Sequence, residues 1–255
     1  MLTMRQEQVE AFRQHHLQKF EDEMVEHLKK TQVEHWKVMG EANGRKVIRL
    51  GIEQAAKYGF TRRGPVRFYI DLMFTFGSFF DTDPQYPWAS TALANPEGFD
   101  EAVIADRLFN AMSDYYVTIV DPEREHLRAA VQELMKNHIE DVLQPGVNLE
   151  ELILNTLRSV CPIRCDYSGE AVLHSLIQRG FELAQHYDLA TDKGKVLMAT
   201  LTFAVGHGFY KDPLNGWIVR RLENKRWSDP NKRVDDLSSK SMIYLKHILA
   251  ARSQA

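Results

Sequence analysis

Hydrophobic positions recur every three or four residues along most of the chain, which is the spacing of an amphipathic helix. The first such stripe lies within residues 4–39 and consists of Val9, Phe12, His16, Phe20, Met24 and Leu28. It predicts one long or one broken helix that ends near Gly40 and the Asn43-Gly44 pair, because these residues interrupt helices. Residues 45–58 predict a second helix, with Gly59 as its left-handed end.

One stretch, VRFYIDLMFTF at residues 66–76, is apolar on nearly every side. This pattern is typical of a helix in the middle of a bundle, and the stretch is too short to cross a membrane, which takes about 20 residues. Further helices are predicted at 99–120, 122–139, 148–160, 168–187, 193–207 and 234–251. No series of alternating apolar positions suggests strands, so we expect an all-α fold, either a multi-helix bundle or a short solenoid.

The sequence contains an internal repeat with an offset of 129 residues. FTFGSFFDTDPQYPW at 74–88 and FAVGHGFYKDPLNGW at 203–217 share a Phe-Gly-Phe-Asp-Pro-Trp pattern with the same spacing. The matched pairs are Phe74/Phe203, Gly77/Gly206, Phe80/Phe209, Asp83/Asp212, Pro84/Pro213 and Trp88/Trp217. Twelve identities occur over the 41 ungapped positions from Ile48 to Trp88, against roughly two or three expected from ordinary residue frequencies.

This repeat predicts a tandem duplication of a helical unit, with copies at 48–120 and 177–249. The expected organisation is an N-terminal long helix at 1–40, a first unit at 41–137 and a second unit at 138–255, packed as one domain.

Each residue type in the repeat has an expected structural role. Gly77 and Gly206 are predicted to end the apolar helix, because glycine permits a sharp change of direction. The Asp-Pro steps are predicted to begin a turn, since aspartate accepts backbone N–H bonds and proline fixes φ. Trp88 and Trp217 are expected to anchor the turns in the core.

The segment Asp81-Thr82-Asp83 has the Asp-x-Asp spacing of some metal-dependent active sites. The repeat separates the two acids, because Asp83 is matched by Asp212 whereas Asp81 is matched by Tyr210. We therefore predict a structural role for Asp83. Asp81 and its unmatched neighbours Phe79 and Tyr86 remain candidate partner-binding residues.

Histidines lie near acids in several predicted helices, at Glu23/His27, Glu123/His126, Glu133/His138, Glu170/His174 and Glu182/His186. Only Glu123 and His126 have the Glu-x-x-His spacing of a di-iron bundle, which needs two such motifs. Solvent-facing helix pairs are the expected account, so we predict neither a metal site nor a cofactor.

Basic residues form two small clusters. Arg62, Arg63 and Arg67 lie at one connector, and Arg220, Arg221, Lys225 and Arg226 lie near Trp217 and Trp227. The first cluster is a candidate partner-binding site, because arginine is enriched where proteins bind one another.

Composition narrows the class of protein. Thirty-two basic and 35 acidic residues give a net charge of −3, so a nucleic-acid partner is not expected. The N-terminus is too polar for a secretory signal, and the absence of long apolar stretches predicts a cytoplasmic protein with no membrane partner. Cys161 and Cys165 are the only cysteines and are expected to be buried free thiols.

The run YGFTRRGPVRFYIDLMFTFGSFFDTDPQYPWA at 58–89 resembles a segment of poorly characterised bacterial proteins encoded in type VI secretion effector clusters, near spike proteins and effector adaptors. The resemblance covers only this run and brings no catalytic residues. It implies an accessory protein that binds an effector or its adaptor.

The expected function is therefore that of a non-enzymatic helical interaction protein, an adaptor or chaperone-like partner of a secreted effector. Two alternatives remain open. One is a metal-dependent hydrolase or toxin that uses Asp81, Asp83 and the nearby His207. The other is an immunity protein that binds a cognate toxin. The sequence leaves the oligomeric state open.

Overall fold

The computed structural model describes residues 6–120, 146, 148–224 and 229–251, and these residues form helices and connecting loops without strands. The all-α prediction is confirmed. None of the helices in these ranges is long and apolar enough to cross a membrane.

The first part of the chain contains five α-helices followed by a short π-helical turn. They are α1 (Gln6–Thr31), α2 (Val33–Lys57), α3 (Arg63–Phe76), α4 (Pro87–Leu93), α5 (Glu101–Tyr115) and the π-turn (Tyr116–Val120).

Residues 148–224 and 229–251 form six α-helices, with two short 3-10 turns between α9 and α10. They are α6 (Leu149–Val160), α7 (Pro162–Ser168), α8 (Glu170–His186), α9 (Asp192–Val205), the turns Phe209–Lys211 and Pro213–Asn215, α10 (Gly216–Glu223) and α11 (Pro230–Ala251).

The N-terminal helices differ from the prediction at their junctions. The helical run is interrupted at Gln32 and again at Gly40, whose φ of 72° and ψ of 165° are not helical, so α2 consists of two helices joined at a kink. Gly44 stays helical. The Trp36 ring packs directly over it, so a Cβ at this position would lie 2.5 Å from the ring. The predicted helix end at Gly40 is therefore confirmed, whereas the predicted interruption at Asn43-Gly44 was wrong, because both residues are helical.

The predicted helices elsewhere are largely confirmed. The predicted helix at 168–187 is α8, which begins only after Gly169, a residue with φ of 79° that separates it from α7. Three predictions lie outside the described residues, namely the helix at 122–139, the acid–histidine pairs at 123–138 and the boundary between the units at 137–138.

Helix bounds in the two halves correspond at the offset of the sequence repeat. Adding 129 to the bounds of α3 gives those of α9, and adding it to the starts of α4 and α5 gives the starts of α10 and α11. We refer to residues 48–120 as the first unit and 177–249 as the second unit. Common origin by duplication stays a prediction.

Each unit buries its apolar central helix. Seven residues of α3 are buried, including Tyr69, Ile70 and Met73, and α9 buries Met198 and Phe203. Trp88 and Trp217 are buried in the clusters of the first and second unit, respectively, so their predicted role as anchors is confirmed. The loops that follow α3 and α9 are thereby fixed on a packed core.

Candidate functional site

The ends of α3 and α9 meet where the two repeated glycines lie. Gly77 and Gly206 follow these helices with φ of 96° and 112°, so their predicted role in ending the helices is confirmed. A Cβ on Gly77 would lie 3.1 Å from the carbonyl oxygen of Val205, and one on Gly206 would lie 3.3 Å from Asp83 Oδ2. Each glycine therefore allows an oxygen atom of the other unit to come close.

Two buried aspartates cross between the units at this junction. Asp83 Oδ2 accepts a hydrogen bond from the backbone N–H of His207 at 2.8 Å, and Asp212 Oδ2 accepts one from that of Ser78 at 2.9 Å. Ser78 and His207 occupy matched positions, since they differ by 129. We call these four residues the aspartate clasp, because each aspartate holds the residue after the other unit's glycine.

The second oxygen of each aspartate holds its own turn. Asp83 Oδ1 accepts from the backbone N–H of Gln85 at 3.0 Å, and Asp212 Oδ1 accepts from that of Leu214 at 2.9 Å. The predicted turn role of the Asp-Pro steps is confirmed. The bonds across the units were not predicted, because a repeat identifies equivalent residues but not their partners.

The two sides of the clasp differ in the side chains that reach the carboxylates. The Ser78 hydroxyl donates to Asp212 Oδ1 at 2.5 Å, whereas His207 Nδ1 lies 3.5 Å from Asp83 Oδ2. Burial raises the pKa of Asp212 in spite of its bonds from Ser78. Burial also acts to raise the pKa of Asp83, but the bonds from His207 outweigh it and lower the pKa below its ordinary value.

Arg164 of α7 connects both units beside the clasp. Its Nη2 donates to Gln85 Oε1 of the first unit and to the Phe203 carbonyl of the second, each at 2.8 Å, and to the Tyr86 hydroxyl at 3.2 Å. The guanidinium also stacks 4.4 Å from the Phe203 ring centroid. No motif marks this arginine in the sequence, so its role was missed.

The Asp-x-Asp segment does not form a shared carboxylate site. Asp81 Oδ2 accepts from the Tyr58 hydroxyl at 2.7 Å, away from the partners of Asp83. Burial is the largest cause that raises the pKa of Tyr58, and this hydrogen bond is the second. Within the ranges that the structure describes, no three His, Cys, Asp or Glu side chains gather as metal ligands. Of the residues in the hydrolase alternative, only Asp83 and His207 come together.

Two of the candidate partner-binding residues are in the interior. Asp81 and Tyr86 are each only 6% exposed, so their assignment to a binding surface was wrong. Phe79 is half-buried and lies against the second unit, with Lys211 Nζ 4.5 Å from its ring centroid. The repeat shows that Phe79, Asp81 and Tyr86 differ from their counterparts in the second copy, but a difference in residue type does not show whether a side chain faces solvent.

The arginine cluster at the start of α3 is exposed but paired within the chain. Arg62 bonds Asp100 at 3.0 Å, Arg63 bonds Glu23 at 2.6 Å, and Arg67 Nη2 lies 2.9 Å from His27 Nδ1. Its role in partner binding stays a prediction. In the second basic cluster Arg221 contacts Asp236 at 3.2 Å, and residues 225 and 226 are outside the described ranges.

Histidine contacts connect helices more than they pair along one helix. His27 Nε2 bonds Asp71 of α3 at 2.8 Å instead of Glu23, so the prediction of a solvent-facing pair was wrong there. His174 lies 3.5 Å from Glu170, as predicted, and also bonds Glu150 of α6 at 2.5 Å. The cysteines Cys161 and Cys165 are buried free thiols, as predicted.

Exposed apolar side chains occur on several helices, including Val33 and Val38 of α2, and the largest group lies on or beside α5. Phe99, Val103, Phe109 and Val117 lie on or beside α5 and the π-turn. Phe12 and Leu17 lie on the first half of α1, where residues 7–19 are exposed, apart from Val9, whose side chain is not described. These two surfaces, rather than the clasp, are open to another molecule.

A scan of family models matches no family, and comparisons with curated proteins and solved structures also yield no match.

Proposed function

We propose that the chain is a non-enzymatic helical interaction protein, an accessory or adaptor that holds a secreted bacterial effector or the effector's adaptor. The observation that carries this proposal is the exposed apolar surface of α5 and its π-turn. Phe109 is 53% exposed and Val117 is 68% exposed. Full burial of a fully exposed side chain of this kind contributes about 1.5–3 kcal/mol, so burial of the part still exposed here would contribute roughly half of that per residue.

The matched helix of the second unit supports a role for this surface outside folding. The positions 129 residues after Val103 and Phe109 are Lys232 and Ser238 on α11. The corresponding helix therefore folds with polar residues at both places. Apolar residues at 103 and 109 are accordingly explained better by a binding partner than by the needs of the helix.

The effector class rests on the sequence resemblance at 58–89. Its connection to the exposed surface is a ring contact, because Phe68 lies in that run and its centroid is 5.9 Å from that of Phe109. A partner that covers Phe109 would also meet the edge of α3. The surface and the resembling segment are thus neighbours in space.

The decisive experiment is co-purification of the intact tagged chain from its native cells, with every recovered protein identified by mass spectrometry. A Val103→Lys/Phe109→Ser variant places the second unit's residues on the first and should lose the partner while keeping its melting temperature. Val38→Lys is the matched control, because Val38 is an exposed apolar residue on α2. It should keep the partner.

Three outcomes would contradict the proposal. The intact chain could repeatedly recover no secreted effector or effector adaptor, or the double variant could bind as well as the intact chain. A partner that is a toxin and loses its toxicity on binding would instead identify an immunity protein.

A further inference from the structure

The first half of α1 projects from the body as an exposed helical arm, which we define as residues 7–19. The second half of the same helix is packed, since Met24, Val25 and Leu28 are buried. Arg45 and Arg49 of α2 hold Glu21 at 2.9 and 2.8 Å, at the point where this packing begins. At 1.5 Å per residue the arm extends about 20 Å.

The apolar stripe of α1 continues past the edge of the body. Phe12, His16 and Phe20 follow at intervals of four residues, so each lies next to the following one in a row that winds gradually around the helix to buried Met24. Phe20 is buried, but Phe12 is 59% exposed. The Phe12 ring stacks on that of His16 of the same helix, with 6.4 Å between the ring centroids. The stripe that packs the hairpin of α1 and α2 is therefore uncovered along the arm.

The arm is continuous with the packed half of the 26-residue α1, but its own exposed side chains add little to its stability, because most helical stability in proteins comes from packing of an amphipathic face. Burial of its apolar face against another helix would supply the missing stabilisation. The identity of that helix follows from the charges along the arm.

The arm begins acidic and ends basic. Glu7 and Glu10 lie in its first part, and Arg13 and Lys19 lie further along. Two arms side by side in the same direction would place like charges together. Two arms in opposite directions place the acidic start of each beside the basic end of the other, and they also align the helix dipoles favourably.

We infer that the arm docks on the arm of a second copy of this chain, in an antiparallel pair around Phe12. The two bodies then lie at opposite ends of the pair, because each body follows the basic end of its own arm. Such an interface is closed by twofold symmetry and produces a dimer rather than a filament. This inference is independent of the proposed function, whose surface is on α5.

The first test is the oligomeric state of the full chain by analytical ultracentrifugation over a concentration series. We expect a dimer whose dissociation constant rises at least about tenfold in Phe12→Glu, as expected when a central buried side chain is lost. Phe99→Glu is the matched control, because Phe99 is also an exposed phenylalanine but lies beside α5. It should leave the dimer unchanged.

The second test concerns direction. Glu7→Cys and Lys19→Cys chains, mixed under mild oxidation, should form a disulfide-linked pair, whereas each variant alone should form far less. The native thiols of Cys161 and Cys165 are buried and do not compete in the folded chain.

A monomer at every concentration, or a dimer equally stable in Phe12→Glu, would overturn the inference. Crosslinking of each single variant with itself in preference to the mixture would overturn the antiparallel arrangement. Unchanged circular dichroism of Phe12→Glu would show that a lost dimer does not reflect unfolding.

Discussion

Asp83 and Asp212 make the same backbone hydrogen bonds at matched positions, yet their pKa values move in opposite directions. The difference comes from the side chain that each meets across the units. His207 favours the ionised form of Asp83, whereas Ser78 supplies one neutral donor that does not offset the burial of Asp212. The clasp therefore places one carboxylate whose charge is stabilised beside one whose charge is disfavoured.

This difference predicts opposite pH dependence for two matched variants. Asp83 has a lowered pKa, so its contribution to stability is present above about pH 3.9 and is lost as the pH falls through its folded value. The stability deficit of Asp83→Asn should therefore grow with rising pH, to about 1–3 kcal/mol at pH 6. Asp212 has a raised pKa, so its contribution is present below about pH 3.9 and is lost as the pH rises through its folded value.

The deficit of Asp212→Asn should accordingly shrink with rising pH. Urea unfolding of both variants and the intact chain from pH 3 to 6 measures the two slopes, and slopes of the same sign would refute the assignment.

Only part of the clasp could be predicted from the residues. The spacing of Gly77, Asp83 and Pro84 predicts a turn, since each residue acts on its own neighbours. The bond from Asp83 to His207 joins residues 124 apart and depends on how two helix ends pack. Burial of Asp81 and Tyr86 is likewise set by packing, which a comparison of two copies does not reveal.

At the scale of helices, the size of the side chains at a helix–helix contact decides how closely the two helices approach. Gly51 of α2 and Gly180 of α8 are matched, and each faces the central helix of its unit. Ile70 faces Gly51 in the first unit. Ala199, which is matched to Ile70, faces Gly180 in the second unit. The smaller alanine lets α8 and α9 approach backbone to backbone, so the second unit depends more on its glycine.

We therefore expect unequal effects of the same substitution. In Gly51→Ala the new Cβ would lie 2.5 Å from Ile70 Cγ1 and 2.8 Å from Met73 Sδ, which are side-chain atoms that can move. In Gly180→Ala it would lie 2.4 Å from Ala199 Cα, so the helices must separate. Alanine gains roughly 1 kcal/mol of helix propensity at both sites. Gly51→Ala should stay within about 1 kcal/mol of the intact chain, and Gly180→Ala should lose about 2 kcal/mol or more.

Chemical denaturation of the two variants, with Ala56→Gly as a control for helix propensity at an exposed position of α2, checks this order. Equal losses in both glycine variants would show that the two helix pairs pack alike.

The helices themselves followed closely from apolar periodicity, because 3.6-residue spacing extends over several turns in α3, α8 and α9. The short helix α7 was not predicted, since seven residues from Pro162 to Ser168 are too few for a periodic pattern. Gly40 was predicted to interrupt the helix and does so, but Asn43 and Gly44 stay helical after it. An Asn-Gly pair can form a turn or stay within a helix, and packing such as that of Trp36 over Gly44 is not visible in the local sequence.

At the scale of the whole molecule, the clasp and Arg164 join the two units into one structure, while the exposed surfaces lie elsewhere. A tandem repeat predicts two equivalent units but not their relative position. The reciprocal contacts supply that position, because each unit completes the turn of the other. A substitution of the aspartate in one unit should therefore change the protection of a backbone amide in the other unit.

Hydrogen exchange provides this test. Asp83→Ala removes the acceptor of the His207 amide, so exchange should speed up at His207 in the second unit. Asp212→Ala should do the same at Ser78 in the first unit. Loss of protection worth roughly 1.4 kcal/mol corresponds to about a tenfold faster rate. Amide exchange followed by NMR, or by mass spectrometry of short peptides, resolves the two sites.

Asp81→Asn is the matched control, because Asp81 is buried in the same loop but accepts from Tyr58. It should leave exchange at Ser78 and His207 unchanged. If each aspartate variant instead changed exchange only within its own unit, at Gln85 or Leu214, the carboxylates would be acting as local turn residues. The units would then be held together by their apolar contacts and Arg164 alone, and the reciprocal clasp would not couple them.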